Sequence, residues 1–259
     1  MISSVNPTIK AISILVPGIF LSFTFDVFTP LIYLLFVLAI TFTLTNISIS
    51  KWIKIFSPFV LVALGFAWMA ALYSNQTYSY GEVHFQLWHF EITTGSIQTG
   101  ISLALRSLCF VALSLLFALT TDSTKLMLSL MQQCKLPPKI TYGILAGYRF
   151  LPIFKHELHV LRQAHRIRGV SRTRGIKGQI NQFRRYSIPL LANGIRKAER
   201  VAIAMESKGF TGDKERTHYH DLTVSKKDWY FLTMIVGTFI AVVAISYYLG
   251  YLNIFGRKF

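Results

Sequence analysis

Apolar residues along this chain are bunched into five runs, about Ile12 to Phe25, Leu31 to Thr45, Pro58 to Tyr73, Ile97 to Leu119 and Trp229 to Ile254. Each is read as a membrane span, because a bilayer core roughly 30 Å thick is crossed by about 20 apolar residues in helical form. The first two runs are short for that thickness, and Asp26 and Pro30 stand between them. One continuous helix through that point would bury a carboxylate and break at the proline, so a tight turn at the outer surface is predicted. The first run is kept as structure, since it lacks the basic, apolar and small-residue succession of a cleavable signal peptide.

The polar stretch between the fourth and fifth runs is patterned for helices. Asp122 or Ser123 caps a short one that shows Leu126, Met127, Leu130 and Met131 on one side, and Leu136-Pro137-Pro138 turns the chain. From Pro138 a longer helix is predicted, with apolar positions from Ile140 to Phe154 and then Leu158, Leu161, Ala164 and Ile167 at three- and four-residue steps. Pro152 is expected to kink or divide it, and Arg168-Gly169 to end it. Val170 to Ser187 reads as a basic, glycine-containing connection. A last helix is placed from near Pro189, with a stripe of Leu191, Ile195, Ala198, Ala202 and Met205, closing at Ser207-Lys208-Gly209. The fold class predicted is all-α, a polytopic membrane protein. Residues 1–120 hold four spans, 121–228 a domain of amphipathic helices, and 229–259 the final span and tail.

Composition supports the membrane reading: 53 % of the residues are hydrophobic and the mean hydropathy is +0.47, more than a soluble domain of this length needs for its core. The net charge of +16 is unevenly spread. Between Thr121 and Asp228 lie 21 Lys and Arg against 8 Asp and Glu, whereas Ser74 to Ser96 contains no Lys or Arg. The positive-inside rule then puts the long basic segment and the Lys51/Lys54 loop in the cytoplasm and Ser74 to Ser96 outside. The N-terminus is expected inside and the C-terminus outside, with only Arg257 and Lys258 disagreeing weakly. Cys109 and Cys134 fall in different environments without metal-type spacing, so two free thiols are expected.

The candidate chemistry is sparse. Tyr78, Tyr80, Phe85, Trp88 and Phe90, with Glu82, His84, His89 and Glu91 among them, read as an interfacial aromatic belt. Arg106 lies inside the fourth run, where it can snorkel outward or pair with Asp26 or Glu91. The basic run with Arg172, Arg174, Lys177, Arg184 and Arg185 lacks a nucleic-acid fold signature and suits anionic lipid headgroups better. No G-x-x-x-x-G-K-[ST] loop is present, so nucleotide hydrolysis by this chain is not expected. His156-Glu157-Leu158-His159 spaces its histidines three apart, not the four a zinc-protease helix needs, and no serine elbow or carboxylate pair stands out. An enzyme is disfavoured, and no metal site is expected. What remains is a pair of helix ends, Ile167-Arg168-Gly169 and Ser207-Lys208-Gly209, each with a cation before a glycine. A helix terminus fixes such a cation at the negative end of its dipole, suited to an acidic pocket on a partner.

These residues resemble a known family. Leu136-Pro137, Tyr148-Arg149-Phe150-Leu151-Pro152, Glu157 and Ala164-His165 running into Arg168-Gly169 are similar to one signature block of the transmembrane T component of energy-coupling factor transporters. Arg196, Ala198, Glu199 and Ala204-Met205-Glu206-Ser207-Lys208-Gly209-Phe210 are similar to the second, and Ile92-Thr93, Gly95, Gly100 and Arg106 to the approach to the fourth span. The resemblance covers most of the chain. It implies a non-catalytic subunit that binds no cofactor and whose two coupling-helix ends insert into two ATP-binding cassette ATPase subunits, which use ATP and Mg. It also implies a small membrane S component that holds the vitamin or micronutrient. By position, Ile167, Arg168 and Gly169 form one docking end and Ser207, Lys208 and Gly209 the other, supported by Glu157, Ala164, His165, Arg196, Glu199, Met205 and Glu206. Lys208 stands where the family usually has arginine; it keeps the charge and loses the planar fork, which implies weaker or more adaptable docking. His165 replaces a usual glutamine. The second block, followed by Arg216-Thr217 and Tyr219, resembles a subgroup dedicated to thiamine or its pyrimidine precursor. Two other readings stand beside this one: a scaffold binding anionic lipid through Arg172, Arg174, Arg184 and Arg185, and a membrane enzyme using His156, His159 and Glu157.

Overall fold

The computed structural model describes residues 2–45, 47–72, 83–87, 90–169, 175–213, 218, 219, 221–254, 257 and 258. In chain order these form a 3-10 turn (Ile2–Ser4), α1 (Pro7–Leu21), α2 (Phe28–Leu44), α3 (Ile49–Leu72), β1 (Val83–Leu87), β2 (Phe90–Thr93), α4 (Thr94–Thr120), α5 (Ser123–Gln133), α6 (Pro138–Ile167), α7 (Ile176–Ser207), α8 (Lys226–Tyr248), β3 (Asn253–Ile254) and β4 (Arg257–Lys258). The strands make two short antiparallel hairpins, β1 with β2 and β3 with β4. The fold is that of an all-α polytopic membrane protein. Its chain separates into two units, Met1–Ser129 with Leu222–Phe259, and Leu130–Asp221.

In the first unit, α4 touches α1, α2 and α3, and α8 touches α1 and α2. Leu21, Tyr33, Val37, Cys109, Leu113 and Phe239 meet in one apolar cluster, and Ile2, Val5, Ile40, Leu116, Phe231 and Ile235 in a second. α3 approaches α4 closely at Gly100, where a Cβ would stand 2.6 Å from the carbonyl oxygen of Ala67. The helices α3 (Ile49–Ala70), α4 and α8 are long and apolar enough to cross a bilayer. α1 and α2 are apolar but shorter, at 15 and 17 residues.

Several boundaries differ from the pattern of apolar runs. α3 begins at Ile49, so Lys51 and Lys54 belong to its first turns rather than to a loop, and Pro58 is inside it. α8 stops at Tyr248, six residues before the apolar run does, because Gly250 takes a left-handed φ of 71° and the Tyr251 N–H bonds back to Ser246 O at 3.0 Å. The region read as an aromatic loop contains the β1–β2 hairpin, with Phe85 opposite Ile92 and Leu87 opposite Phe90. Tyr78, Tyr80, Glu82, Trp88 and His89 lie outside the described residues.

The turn between α1 and α2 is present, but Asp26 within it is buried, not surface-exposed. Its carboxylate accepts from the Thr29 N–H (2.7 Å) at the start of α2 and from the Ser246 hydroxyl (3.1 Å) of α8, while Ser102 of α4 donates to its backbone carbonyl (2.8 Å). Arg106, also buried, does not pair with it. The guanidinium donates to the carbonyls of Ser22 (2.9 Å) and Thr24 (3.2 Å) and sits 4.8 Å from the centre of the Phe25 ring. Carbonyls at and just past the C-cap of α1 give the cation its partners inside apolar surroundings.

A second polar cluster, absent from the sequence reading, joins four chain segments. The Asn6 side chain caps α1 through the Thr8 N–H (3.1 Å), and the Asn6 N–H donates to Asp228 Oδ1 (2.8 Å). Asp228 also closes a capping box with Ser225 at the start of α8. Thr8 and Ser129 share a hydroxyl contact of 2.5 Å, Ser129 donates to Asn6 Oδ1 (2.7 Å), and Lys10 reaches the Thr120 carbonyl (3.1 Å). Both cysteines are free, Cys109 buried and Cys134 exposed.

Candidate functional site

The second unit is built around α6 and α7, of 30 and 32 residues. Pro138 starts α6 in the position where a missing N–H costs nothing, and Pro152 does not divide it. α7 begins at Ile176, so Lys177, Arg184 and Arg185 are helical and Pro189 is interior; the basic connection is shorter than predicted. Arg172 and Arg174 lie outside the described residues. One interior proline removes one N–H donor from a helix that keeps the rest, which a helix of eight or nine turns tolerates.

Contacts along the two helices run in opposite senses. Tyr142, in the first turns of α6, meets Phe210 just past α7 in an edge-to-face contact with ring centres 5.5 Å apart. In the middle, Phe154 lies against Gly194, whose absent Cβ would fall 2.7 Å from the ring, and Glu157 forms a salt bridge with Lys197. Near the end of α6, His165 stands edge-on to Tyr186 with centres 5.5 Å apart, and the Arg162 guanidinium lies 5.9 Å from the same ring. A cavity of about 500 Å³ between the start of α6 and the end of α7 is lined by Gly143, Gly147 and Ala198 together with Tyr142, Phe150 and Phe210. The helices are therefore antiparallel. Their C-termini point to opposite ends of the pair, separated by roughly 40 Å at 1.5 Å per residue.

Both predicted helix ends form. Arg168 is the C-cap of α6; Gly169 follows with φ 72° and donates its N–H to Arg166 O at 3.1 Å. Lys208 is the C-cap of α7; Gly209 has φ 81° and donates to Glu206 O (2.9 Å), and the Phe210 N–H returns to Met205 O (3.0 Å). That double return is the Schellman closure, which a left-handed glycine makes possible. Ile167 is 86 % exposed, and Arg168, Ser207 and Lys208 are exposed too. Each cation thus stands exposed at the negative pole of a long helix.

The supporting residues fall into distinct places. Glu157 is committed to Lys197, and His165 to the Tyr186 contact. Ala164 accepts the Arg168 N–H, and Met205 and Glu206 supply carbonyls to the α7 closure. Arg196 is exposed and bonds Asn193 Oδ1 at 3.0 Å, and Glu199 is exposed with it. His156 and His159 are exposed, and His159 meets Gln163 at 3.0 Å; among the described residues no three His, Cys, Asp or Glu are placed to hold a metal. Arg106 belongs to the first unit. Lys197, Gly194 and Tyr186 are the residues that sequence reasoning missed, since nothing near them in the chain marks their partners some 20 to 40 positions away.

Comparison with known proteins points one way. The sequence model of the family described as CbiQ, cobalt transport protein, matches residues 1–219. The chain is 26 % identical over 215 residues to the energy-coupling factor transporter transmembrane protein EcfT of Bacillus subtilis (strain 168), covering 80 % of this chain and 78 % of that one. It is 27 % identical over 240 residues to the protein of the same name from Staphylococcus aureus (strain 04-02981), covering 88 % of each. With that of Streptococcus thermophilus (strain ATCC BAA-250 / LMG 18311) it shares 26 % identity over 256 residues, 96 % of this chain and 94 % of the relative.

Proposed function

Because the chain belongs to the CbiQ-like family of energy-coupling factor transmembrane components, we propose that it is the coupling subunit of a micronutrient uptake transporter. It links ATP hydrolysis by two partner ATPases to movement of a small membrane S component that holds the substrate. The observation that carries this reading is the pair of exposed cation-ended helix termini, Arg168 and Lys208, at opposite ends of one antiparallel helix pair. One rigid element with two such ends can engage two ATPase subunits at once, and motion between the ATPases is then delivered to the pair as a whole.

In this reading Ile167, Arg168 and Gly169 enter an acidic groove on one ATPase, and Ser207, Lys208 and Gly209 the equivalent groove on the other. Arg168 grips a carboxylate with a planar fork, whereas Lys208 offers a point charge, so the second contact is the weaker. Glu157 with Lys197, and His165 against Tyr186, hold the two helices in register so that a push at one end reaches the other. Ala164, Arg196, Glu199, Met205 and Glu206 shape the surface and closure around the ends. The segment 121–228 faces the cytoplasm, where the ATPases are, and the chain contributes no nucleotide site. ATP and Mg belong to the partners.

Affinity purification of the tagged chain from its native membrane, wild type beside Arg168→Glu, tests this. Two ATPases and a small hydrophobic protein are expected with wild type, and loss of ATPase with the variant, since a reversed charge in a desolvated pocket costs on the order of 3–5 kcal/mol. Full ATPase binding and uptake by Arg168→Glu would refute the docking role. The small protein names the substrate, and identification of a thiamine or pyrimidine binder would support the subgroup that Arg216-Thr217 and Tyr219 suggest.

A further inference from the structure

The chain passes between its two units twice, leaving the first after Ser129 and returning before Leu222. One side chain holds both crossings. The Ser129 hydroxyl donates to Asn6 Oδ1 at 2.7 Å, and the Asn6 amide nitrogen donates to the Leu222 carbonyl at 3.4 Å. The Thr8 N–H also donates to Asn6 Oδ1 (3.1 Å), so the oxygen end of the amide is fixed and its nitrogen faces the returning segment. An aspartate at this position could not donate, and a serine would be too short to reach Leu222.

The same few residues grip the chain on both sides of each crossing. Ahead of the first, Lys10 Nζ donates to the Thr120 carbonyl (3.1 Å) and hydroxyl (3.3 Å) at the end of α4, and the Thr8 hydroxyl meets that of Ser129 at 2.5 Å. The crossing itself falls inside α5, so a grip at Ser129 is carried past Leu130 by continuous helix. Beyond the second crossing the chain is not helical until Lys226, and there the Asn6 N–H donates to Asp228 Oδ1 (2.8 Å) while Asp228 Oδ2 accepts from the Ser225 N–H (2.7 Å). Asn6, Thr8, Lys10, Ser129 and Asp228 are all buried. Loss of one partner in such a network leaves the others unsatisfied away from water, so its members act together. Capping α1 alone would need only an oxygen for the Thr8 N–H, which serine supplies equally well.

We propose that Asn6 and Thr8 form a clasp that closes both crossings onto the start of α1, so that the Leu130–Asp221 unit moves on one joint instead of two loose links. The inference rests on the coupling role: force taken up by α6 and α7 then reaches α1, α4 and α8 rather than being lost in the connections. Hydrogen–deuterium exchange on the full chain in its purified membrane complex tests the clasp, with wild type beside Asn6→Ser, Asn6→Ala and Ser129→Ala. Asn6→Ser keeps the cap of α1 and gives up the reach to Leu222. Amides of residues 123–133 and 222–229 are expected to exchange about fivefold or more faster in each variant, while α2 and α6 keep their wild-type rates. Ser129→Ala is the sharpest case, because it removes a hydroxyl at one crossing and is expected to loosen the other. Loosening of one segment without the other overturns the clasp, as do wild-type rates in Asn6→Ser or a rise spread over all helices. Uptake by the same variants is expected to fall about threefold or more with the ATPases still copurifying, and wild-type uptake with both segments loosened overturns the transmission. A wild-type chain that brings down no ATPase refutes the coupling role and the transmission with it, while the exchange rates still decide the clasp.

Discussion

Gly169 and Gly209 decide how the two cations are presented, and for a backbone reason. Both have φ in the left-handed region, and a Cβ on either would meet nothing within 4 Å, so the whole cost of a side chain there is torsional. Gly169→Ala is therefore predicted to cost about 1 kcal/mol and to loosen the Arg168 turn, weakening ATPase binding severalfold in a titration of purified components. Gly169→Asn, which tolerates the same conformation, should keep most of the affinity; equal losses for both variants would show that something other than backbone conformation matters. Gly100 is the opposite case. Its conformation is ordinary and its surroundings are full: a Cβ would lie 2.6 Å from the Ala67 carbonyl oxygen. Gly100→Ala should force α3 away from α4 and cost about 1–3 kcal/mol, read as earlier thermal unfolding in detergent; an unchanged unfolding curve would contradict the close approach.

At the scale of elements, the helix ends written in local chemistry were legible and those set by remote contacts were not. Asp122 before α5, Pro138 at the head of α6 and the Arg-Gly and Lys-Gly closures of α6 and α7 follow from which backbone groups a terminus leaves free. The start of α7 was misplaced by thirteen residues because Pro189 looked like a beginning, yet it is interior, as Pro17, Pro58 and Pro152 are in their helices. The link between α6 and α7 rests on contacts far apart in the chain, of which Glu157–Lys197 is the testable one. Both side chains are partly exposed, so solvent screening limits the pair to about 0.5–1 kcal/mol. A double-mutant cycle with Glu157→Gln and Lys197→Gln should return a coupling energy in that range, and the exchange Glu157→Lys with Lys197→Glu should restore most of the loss in uptake. A coupling energy of zero would remove the pair from the linkage between helices.

For the whole molecule, five apolar runs and a basic segment were enough to give a polytopic, helical membrane protein, because spanning length and charge asymmetry are properties of single stretches. The arrangement of the spans was not legible. α4 lies against three other helices while most of α3 is exposed, and no single-stretch property distinguishes them. Neither did the sequence show that Asp26 ties α2, α4 and α8 together, that Arg106 takes backbone carbonyls rather than the Asp26 carboxylate, or that Lys10 and Asp228 would be buried beside the first residues of the chain. Apart from the local bond of Asp26 to the Thr29 N–H, each of these depends on groups 76 or more positions apart.

In the proposed coupling role, two distant helix ends on one chain each meet an ATPase. Photo-crosslinking residues placed at Ile167 and, separately, at Ser207 leave both cations intact and test it in the native membrane. Adducts to an ATPase subunit from both positions are predicted, with fewer from Ser207, where the neighbouring cation is lysine. Adducts to lipid or to the chain itself, with no ATPase from either position, would overturn the coupling role.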